Sequence, residues 1–414
     1  MKNIFKKTKI KNKIKDINNG DKNRDFVFSD DIYLSKKGKI RNFHNIVIDQ
    51  TQIGSKQYVE NNIENINDSF IIEDLEGLYF NKFSQNLKDK GYCVRTIEFK
   101  EEKMSEVNYY DPLVDINDED DFRFLASLII SSIENAPYLN LFKNDPFWLF
   151  SSTSLLESLM HFIFKYNNNS FENLIQLLQA KDLDKIQGID GMSQSIKALG
   201  NKTLKIVVEN CYYKVLNFKE RVLKHIDKND VTGLEQIINQ KTAIFLIRPF
   251  YKSLIIGFSD MFYYLIYSKI RNANGKLTPW RFFINEDNYD YDYDYDFRLF
   301  HTLSTCSFSH YISVDLILKN INNFQDQQHC IDILNMFNQV VLFGGATVES
   351  NIEYMNEIMR DSFVDEIFSS YGDDSRKSCL ELLQSLKLNE FVLLIKSEKI
   401  AIKDTNCCET RRKQ

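Results

Sequence analysis

Residues 45–59 have the sequence NIVIDQTQIGSKQYV, and this stretch decides which fold the chain is expected to adopt. It begins with a short apolar run typical of a buried strand and ends in a pattern typical of the start of a helix. A small polar turn with Gly54, Ser55 and Lys56 lies between them. A strand, a glycine-containing turn and a helix in this order are the context of a phosphate-binding loop, whose backbone N–H groups cradle phosphate.

The residues of the turn depart from the phosphate-loop pattern G-x-x-x-x-G-K-[ST]. Lys56 is placed to reach the β- and γ-phosphates, but Gln50 and Ser55 stand where the two glycines belong. Gln57 replaces the hydroxyl residue that ligates magnesium. Taken alone, the stretch is compatible with a plain surface turn as well as with a nucleotide-binding site made by Gly54, Ser55, Lys56 and Gln57.

A second motif of P-loop ATPases has a counterpart in WRFFINED, residues 280–287. In these enzymes an apolar strand ends in an acid that holds magnesium, and a following glutamate orients the attacking water. Asn285 stands at the position of that acid and carries no negative charge, whereas Glu286 keeps the carboxylate and is the candidate catalytic residue. An alternative is that Glu286 or Asp287 holds magnesium in a shifted geometry.

Short apolar runs alternate with helical patterns on both sides of a long all-helical block, which predicts an α/β fold with a parallel sheet and a helical insertion. The final run, residues 389–402, predicts a terminal hairpin. The expected division of the chain is a basic disordered tail at 1–25, two parts of one α/β domain at 26–118 and 236–404, an all-α insertion at 119–235, and a tail at 405–414.

The net charge of −6 argues against a general affinity for nucleic acid. The basic first 15 residues predict a solvated tail, with an electrostatic tether to nucleic acid or anionic lipid as the alternative. The run at 285–297 alternates Tyr and Asp, and its five aspartates would repel phosphates whether it forms a loop or a strand. A DNA-binding protein without nucleotide chemistry is therefore the least favoured function.

The most apolar stretch, residues 243–270, is interrupted by Arg248, Lys252 and Asp260. A membrane span requires about 20 mostly apolar residues with few or no charges. We therefore expect no membrane span and no secretory signal. The expected location is cytoplasmic, and peripheral attachment at the inner face of a membrane is left open.

Several further motifs occur in an order and spacing that resemble one family, the TraG/TraD-like coupling proteins of type IV secretion and conjugation. They are IIEDLEG (71–77), DKGYCVRTIEF (89–99), YYDPL (109–113), DPFW (145–148), GNKTLKIV (200–207), VLFGGATVESNIEYMNEIM (341–359) and LNEFVLLIKSEKIAIKD (388–404). The resemblance covers residues 30–404. Lys319, in LILKN, stands where the family has a glutamine that senses nucleotide.

The resemblance implies a RecA-like P-loop NTPase sheet flanked by helices, with an all-α insertion domain. It implies an ATP-driven motor for DNA and protein substrates, with ATP and Mg²⁺ as cofactors. The partners it implies are a DNA–relaxase complex, secretion-channel subunits or active coupling-protein subunits, arranged as a homo- or hetero-hexamer. The family's amino-terminal pair of membrane helices has no counterpart in this sequence.

The departures from the family concern the nucleotide-binding residues, whereas the markers of the scaffold are retained. We therefore expect weak or no ATP hydrolysis, with any remaining phosphate contact made by Lys56 and any water activation by Glu286. The alternative is a catalytically inactive scaffold or regulatory subunit that binds an active ATPase or secretion substrates.

Overall fold

The computed structural model describes residues 12–29, 31–116, 119–132, 145–166, 169–180, 182–249, 257–273, 278–285, 312–321, 335–345, 349, 351–354, 383–388, 390–398 and 400–405. The strands are β1 (Phe26–Val27), β2 (Tyr33–Leu34), β3 (Asn45–Ile48), β4 (Ser69–Leu75), β5 (Cys93–Glu98), β6 (Thr242–Arg248), β7 (Trp280–Asn285), β8 (Ile312–Leu318), β9 (Gln339–Phe343), β10 (Glu390–Ile395) and β11 (Ile400–Thr405).

The helices of the amino-terminal part are α1 (residues 12–17), α2 (Ile53–Asn65) and α3 (Leu78–Asp89). Those of the middle part are α4 (Glu119–Ser132), α5 (Pro146–Lys165), α6 (Phe171–Gln179), α7 (Leu183–Gln187), α8 (Gln194–Lys197), α9 (Asn201–Arg221), α10 (Lys228–Val231) and α11 (Leu234–Ile237). Helix α12 (Phe258–Asn272) follows β6.

One sheet organises the chain, and its described strands lie in the order β11-β10-β9-β3-β8-β7-β4-β6-β5. Pairing is parallel from β9 through to β5, whereas β10 and β11 form an antiparallel hairpin at one edge. The predicted α/β fold, with its parallel sheet and its terminal hairpin, is confirmed. Strand β3 lies between β8 and β9, so the segment that carries the candidate phosphate loop is at the centre of the sheet.

The strands are apolar because both faces of the sheet are covered, as parallel sheets require. Every residue of β3, β8 and β9 is buried. Side chains alternate between two cores, because successive residues of a strand point to opposite faces. Ile46 and Ile48 pack with the all-helical region, and Val47 packs on the other face with Tyr58 and Ile63 of α2.

A buried ion pair joins the middle strands beneath α2. Arg281 of β7 and Asp315 of β8 are fully buried and bonded to each other through two guanidinium nitrogens. Tyr58 donates to Asp315 Oδ1 at 2.6 Å, and Arg281 donates to Asn62 Oδ1 at 2.9 Å, which ties α2 to the sheet. Asn45 of β3 donates to the same carboxylate at 2.8 Å. Burial alone would lower the pKa of Arg281, but Asp315 more than offsets this and raises it.

The structure corrects one expectation at the amino terminus. Residues 12–25 were predicted to belong to a disordered tail, but they include α1, whose Ile14 and Ile17 are buried. The hairpin of β1 and β2 follows, and Phe26 stacks on the guanidinium of Arg281 at 4.3 Å. The charge pattern concealed this role, because the two isoleucines are separated by Lys15 and Asp16, which are both exposed. Residues 1–11 lie outside the described residues.

The helices from α4 to α11 come between β5 and β6 in the chain, where the sequence predicts an all-α insertion. Helix α5 begins as predicted, with Pro146 in its first turn and Asp145 accepting the backbone N–H of Phe147 at 2.9 Å. Asp121 of α4 is buried and accepts a hydrogen bond from Ser268 of α12 at 2.9 Å. This contact fixes the helical block to the α/β part.

Among the helices in the described part of the chain, none combines the length and the apolar composition that crossing a bilayer requires.

Replacing Arg281 with Met should lower the free energy of unfolding by about 3–5 kcal/mol, because Asp315 is then left charged and buried without its partner. Urea and thermal unfolding midpoints measure the effect. Arg123→Met is the matched control, since the Arg123–Glu157 pair at 3.2 Å is exposed on the arginine side and should contribute about 1 kcal/mol or less. Equal effects of the two substitutions would contradict the prediction.

Asp111 gives a pH-dependent prediction, because burial raises the pKa of its carboxyl group to about 6. Its two oxygens accept the backbone N–H groups of Leu113 at 3.0 Å and Phe171 at 2.8 Å. Because the pKa is higher in the folded chain, the ionised form is disfavoured there, and stability should decrease as the pH rises from about 4 to about 6, by up to about 3 kcal/mol. Unfolding of the Asp111→Asn variant should not show this decrease, and parallel pH profiles for both proteins would contradict the assignment.

Candidate functional site

The candidate phosphate loop occupies the carboxyl edge of the sheet, between the end of β3 and the start of α2. Gln52 precedes the helix in a left-handed conformation, with φ of 60°. Such a conformation is uncommon for a residue with a side chain and marks a tight turn. The structure therefore confirms the strand, turn and helix order that the sequence predicts, and the geometry of the turn decides what it can bind.

The carboxylate of Asp49 lies inside this turn. Its Oδ2 accepts the backbone N–H of Ser55 at 2.7 Å, and its Oδ1 accepts the backbone N–H of Thr51 at 3.0 Å and the Thr51 hydroxyl at 2.7 Å. Asp49 is only 1% exposed. Ser55 is the residue at the second glycine position of the phosphate-loop pattern, so a donor that should face phosphate already has an acceptor.

Gly54 is required by packing. A methyl group built on Gly54 would overlap the aromatic ring of Phe343, the last residue of β9. Phe343 is buried and lies 5.6 Å from the ring of Phe391 in the terminal hairpin. The space beside Gly54 is thus filled by a side chain of the protein. The sequence, in contrast, predicts that Gly54 contacts nucleotide.

Lys56 and Gln57, the next two predicted nucleotide contacts, follow on α2. Lys56 is exposed, and its ammonium group makes no hydrogen bond or ion pair with any other described residue. Gln57 is partly buried. The lysine is therefore at the surface beside the turn, not folded into it.

The second motif lies at the same edge. Asn285 ends β7, which is separated from β3 by β8 alone, or about 10 Å for two strand spacings. Lys319 follows β8 between them, and its carbonyl oxygen accepts a hydrogen bond from Asn351 at 2.9 Å. The structure thus brings Asn285, Lys319 and the loop together, as the resemblance implies. Glu286 and Asp287 lie outside the described residues.

Asp74, in the motif IIEDLEG, is at the end of β4 and repeats the arrangement seen at Asp49. Its carboxylate accepts the backbone N–H groups of Tyr79 at 2.9 Å and Phe80 at 2.7 Å, at the start of α3. Burial raises its pKa. Beside it, the Glu73 carboxylate is buried against Arg248 of β6 and accepts the hydroxyl of Ser259 at 3.1 Å.

Comparison with solved structures shows which known proteins share this fold. The bacterial conjugative coupling protein TrwBdeltaN70 in its unbound form matches with a TM-score of 0.67 and 10% sequence identity, over 96% of this chain and 91% of that chain. The chain has the fold of a conjugative coupling protein.

Two further structures of the plasmid coupling protein TrwB match over the same shares of the two chains. The complex with ADP and Mg²⁺ has a TM-score of 0.65 at 10% identity, and the complex with a non-hydrolysable ATP analogue has a TM-score of 0.64 at 11% identity. No protein-family model matches the sequence, and no curated protein is similar to it. Because the sequence identities are so low, the similarity shows the fold, and the chemistry has to be argued from the residues.

The residues at the candidate phosphate loop do not fit a magnesium–nucleotide complex. The carboxylate of Asp49 holds donors that the phosphates would need, and Gln57 offers no hydroxyl for the metal. Asn285 offers no charge. Among the described residues, no group of three or more His, Cys, Asp and Glu side chains is placed to hold a metal ion.

A groove of about 1170 Å³ lies elsewhere, in the all-helical block, between α4, α5 and the loop at 190–193. Its arginine and lysine, Arg123 and Lys165, are each paired with a carboxylate, Glu157 and Asp190. The two carboxylates neutralise the two cations and would repel a phosphate beside them, which makes the groove a poor substitute for a phosphate site.

Sequence reasoning missed Asp49, Phe343 and the Glu73–Arg248 pair. A signal for Asp49 exists in the sequence, because an aspartate at the start of a turn often accepts the backbone N–H two residues further on, as Asp49 does from Thr51. The covering of Gly54 by Phe343 has no such local signal, since the two residues are far apart in the chain and meet only in the folded sheet.

The contact between Gly54 and Phe343 predicts that Gly54→Ala lowers stability by about 1–3 kcal/mol through overpacking. Thermal unfolding measures the loss. The double variant Gly54→Ala with Phe343→Leu should recover part of it, because the smaller side chain makes room for the methyl group. A Gly54→Ala variant as stable as the wild type would show that the ring can move aside.

Proposed function

We propose that this chain is a coupling-protein-like component of a type IV secretion or conjugative DNA transfer system. The observation that supports the proposal is the fold match to TrwB over 96% of the chain, which leaves few residues for an unrelated function. The order of motifs along the sequence supports the same function independently, because it runs through the sheet, the insertion and the terminal hairpin.

The proposed protein hydrolyses ATP weakly or not at all. Charge-assisted hydrogen bonds contribute about 1.5–3 kcal/mol each, and each 1.36 kcal/mol of barrier corresponds to about a tenfold change in rate. Gln57 and Asn285 stand where P-loop ATPases have magnesium-associated residues. The rate of ATP hydrolysis is therefore expected to be lower by several orders of magnitude. Nucleotide is also expected to bind weakly, because Asp49 already accepts hydrogen bonds from donors of the loop.

The role that remains is that of a scaffold or regulatory subunit, which is the second form of the proposal. Its partners would be an active coupling-protein ATPase, secretion-channel subunits or a DNA–relaxase complex, joined in a homo- or hetero-hexamer. The specific observation that favours this form is that the described strands form one nine-stranded sheet around a loop in which Gln50, Ser55 and Gln57 replace residues of the phosphate-loop pattern. The proposed location is the cytoplasm, with partner subunits holding the chain at the membrane.

Deletion of the gene followed by complementation tests the proposal in the host. Deletion should lower the frequency of conjugative DNA transfer or the secretion of substrates, and the wild-type gene should restore it. A gene encoding Lys56→Ala should restore it equally, because the proposed role does not use nucleotide turnover. Purified wild-type protein should show no more ATP turnover than Lys56→Ala.

Affinity purification of the tagged chain should recover a secretion ATPase, a channel subunit or a relaxase, identified by mass spectrometry. Unchanged transfer and secretion after deletion would refute the function in secretion. Turnover that is lost in Lys56→Ala, together with failed complementation by that variant, would refute the nucleotide-independent form and leave an active motor.

A further inference from the structure

We propose that the carboxylate of Asp49 takes the place of a nucleotide phosphate in the loop, so that this one residue closes the loop to anions. The inference deepens the nucleotide-independent role proposed above. It rests on the geometry of the loop alone and therefore stands or falls separately from the role in secretion.

The donors around the Asp49 carboxylate match those of a phosphate loop. Two backbone N–H groups and one hydroxyl converge on it within 3.0 Å, from Thr51 and Ser55. A phosphate loop binds its ligand in the same way, by directing backbone N–H groups of the turn and helix start at anionic oxygens. A carboxylate and a phosphate present the same kind of acceptor, so the internal group satisfies the donors that an incoming phosphate would use.

The charge of the Asp49 carboxylate also opposes an incoming phosphate. Asp49 is 1% exposed, so its charge is poorly screened by water. A phosphate placed at contact distance from that charge would be repelled strongly enough to lower its affinity about tenfold or more. Lys56 does not neutralise the carboxylate, because its ammonium group is exposed and forms no ion pair with it.

The turn is held in this conformation by residues that pack on it from outside. The Cγ2 of Thr51 and the Cδ1 of Leu388 lie 2.9 Å and 3.0 Å from the position that a Cβ on Gly345 would take. Gly345 has φ of 117°, which favours glycine, and Phe343 covers Gly54. The segment after β9 therefore packs directly on the turn. This packing holds Asp49 in the position from which it accepts the hydrogen bonds of the loop.

Asp74 supplies a matched control within the same sheet. It follows a parallel strand, and its carboxylate accepts two backbone N–H groups at the start of the next helix, as Asp49 does. Asn81 stands at the position of α3 that corresponds to Lys56 of α2, and the next residue, Lys82, is paired with Glu60 at 2.8 Å. Removing Asp74 should therefore free similar donors without creating a phosphate site.

The experiment measures binding of a fluorescent ADP analogue with Mg²⁺ by anisotropy, for wild type, Asp49→Ala, Asp49→Asn, Asp74→Ala and Asp49→Ala combined with Lys56→Ala. The Kd of Asp49→Ala should be lower than that of the wild type by about tenfold or more. Asp49→Asn should give a smaller gain, because it removes the charge and keeps the shape. The Asp74→Ala variant should bind as the wild type does, and the double variant should lose the gain.

Circular dichroism and thermal unfolding establish that each variant is folded. If Asp49→Ala does not fold, Asp49→Asn decides the question by the same measurement. Folded Asp49 variants that bind no more tightly than the wild type would overturn the inference, as would a gain that persists without Lys56. An unchanged role in DNA transfer with a gain in ADP binding would support the inference and leave the function in secretion untouched.

Discussion

The ion pair between Arg281 and Asp315 is the contact on which the arrangement of this protein depends. It lies at the middle of the sheet with no exposure to solvent, and it engages α2 through Tyr58 and Asn62. A buried pair of this kind adds little net stability compared with apolar packing, but it penalises any arrangement that leaves one charge alone. It therefore fixes which strands are neighbours and where α2 lies, and that placement sets the geometry of the turn before α2.

The edge of the sheet that carries the candidate phosphate loop satisfies its own backbone donors. Orphan N–H groups at the start of a helix need acceptors, and a phosphate-binding loop obtains them from phosphate. Here Asp49 and Asp74 supply those acceptors from within the chain, and Phe343 fills space above Gly54. The edge is thus satisfied internally, and its stability does not require a bound nucleotide.

The sequence predicted much of the fold, because the strands of a parallel sheet are short apolar runs and the helices carry clear caps such as Asp145. Its motifs also marked the loop and Asn285 as parts of one nucleotide site, and in the structure both lie at the carboxyl edge of the sheet. It could not predict the state of the loop, because that state depends on contacts between residues about 290 positions apart, such as Gly54 and Phe343. Residues 12–25 were misjudged since their charged surface hides Ile14 and Ile17.

The position of β3 in the sheet has a consequence for synthesis of the chain. Both of its neighbours, β8 and β9, come from the last quarter of the sequence, so β3 leaves the ribosome long before either partner exists. Until residue 318 has been made, both edges of this buried strand are open, and one edge stays open until residue 343. Open edges of this kind invite association with other chains. Nascent or prematurely ended chains of this protein should therefore be clients of chaperones and proteases, whatever the finished molecule does.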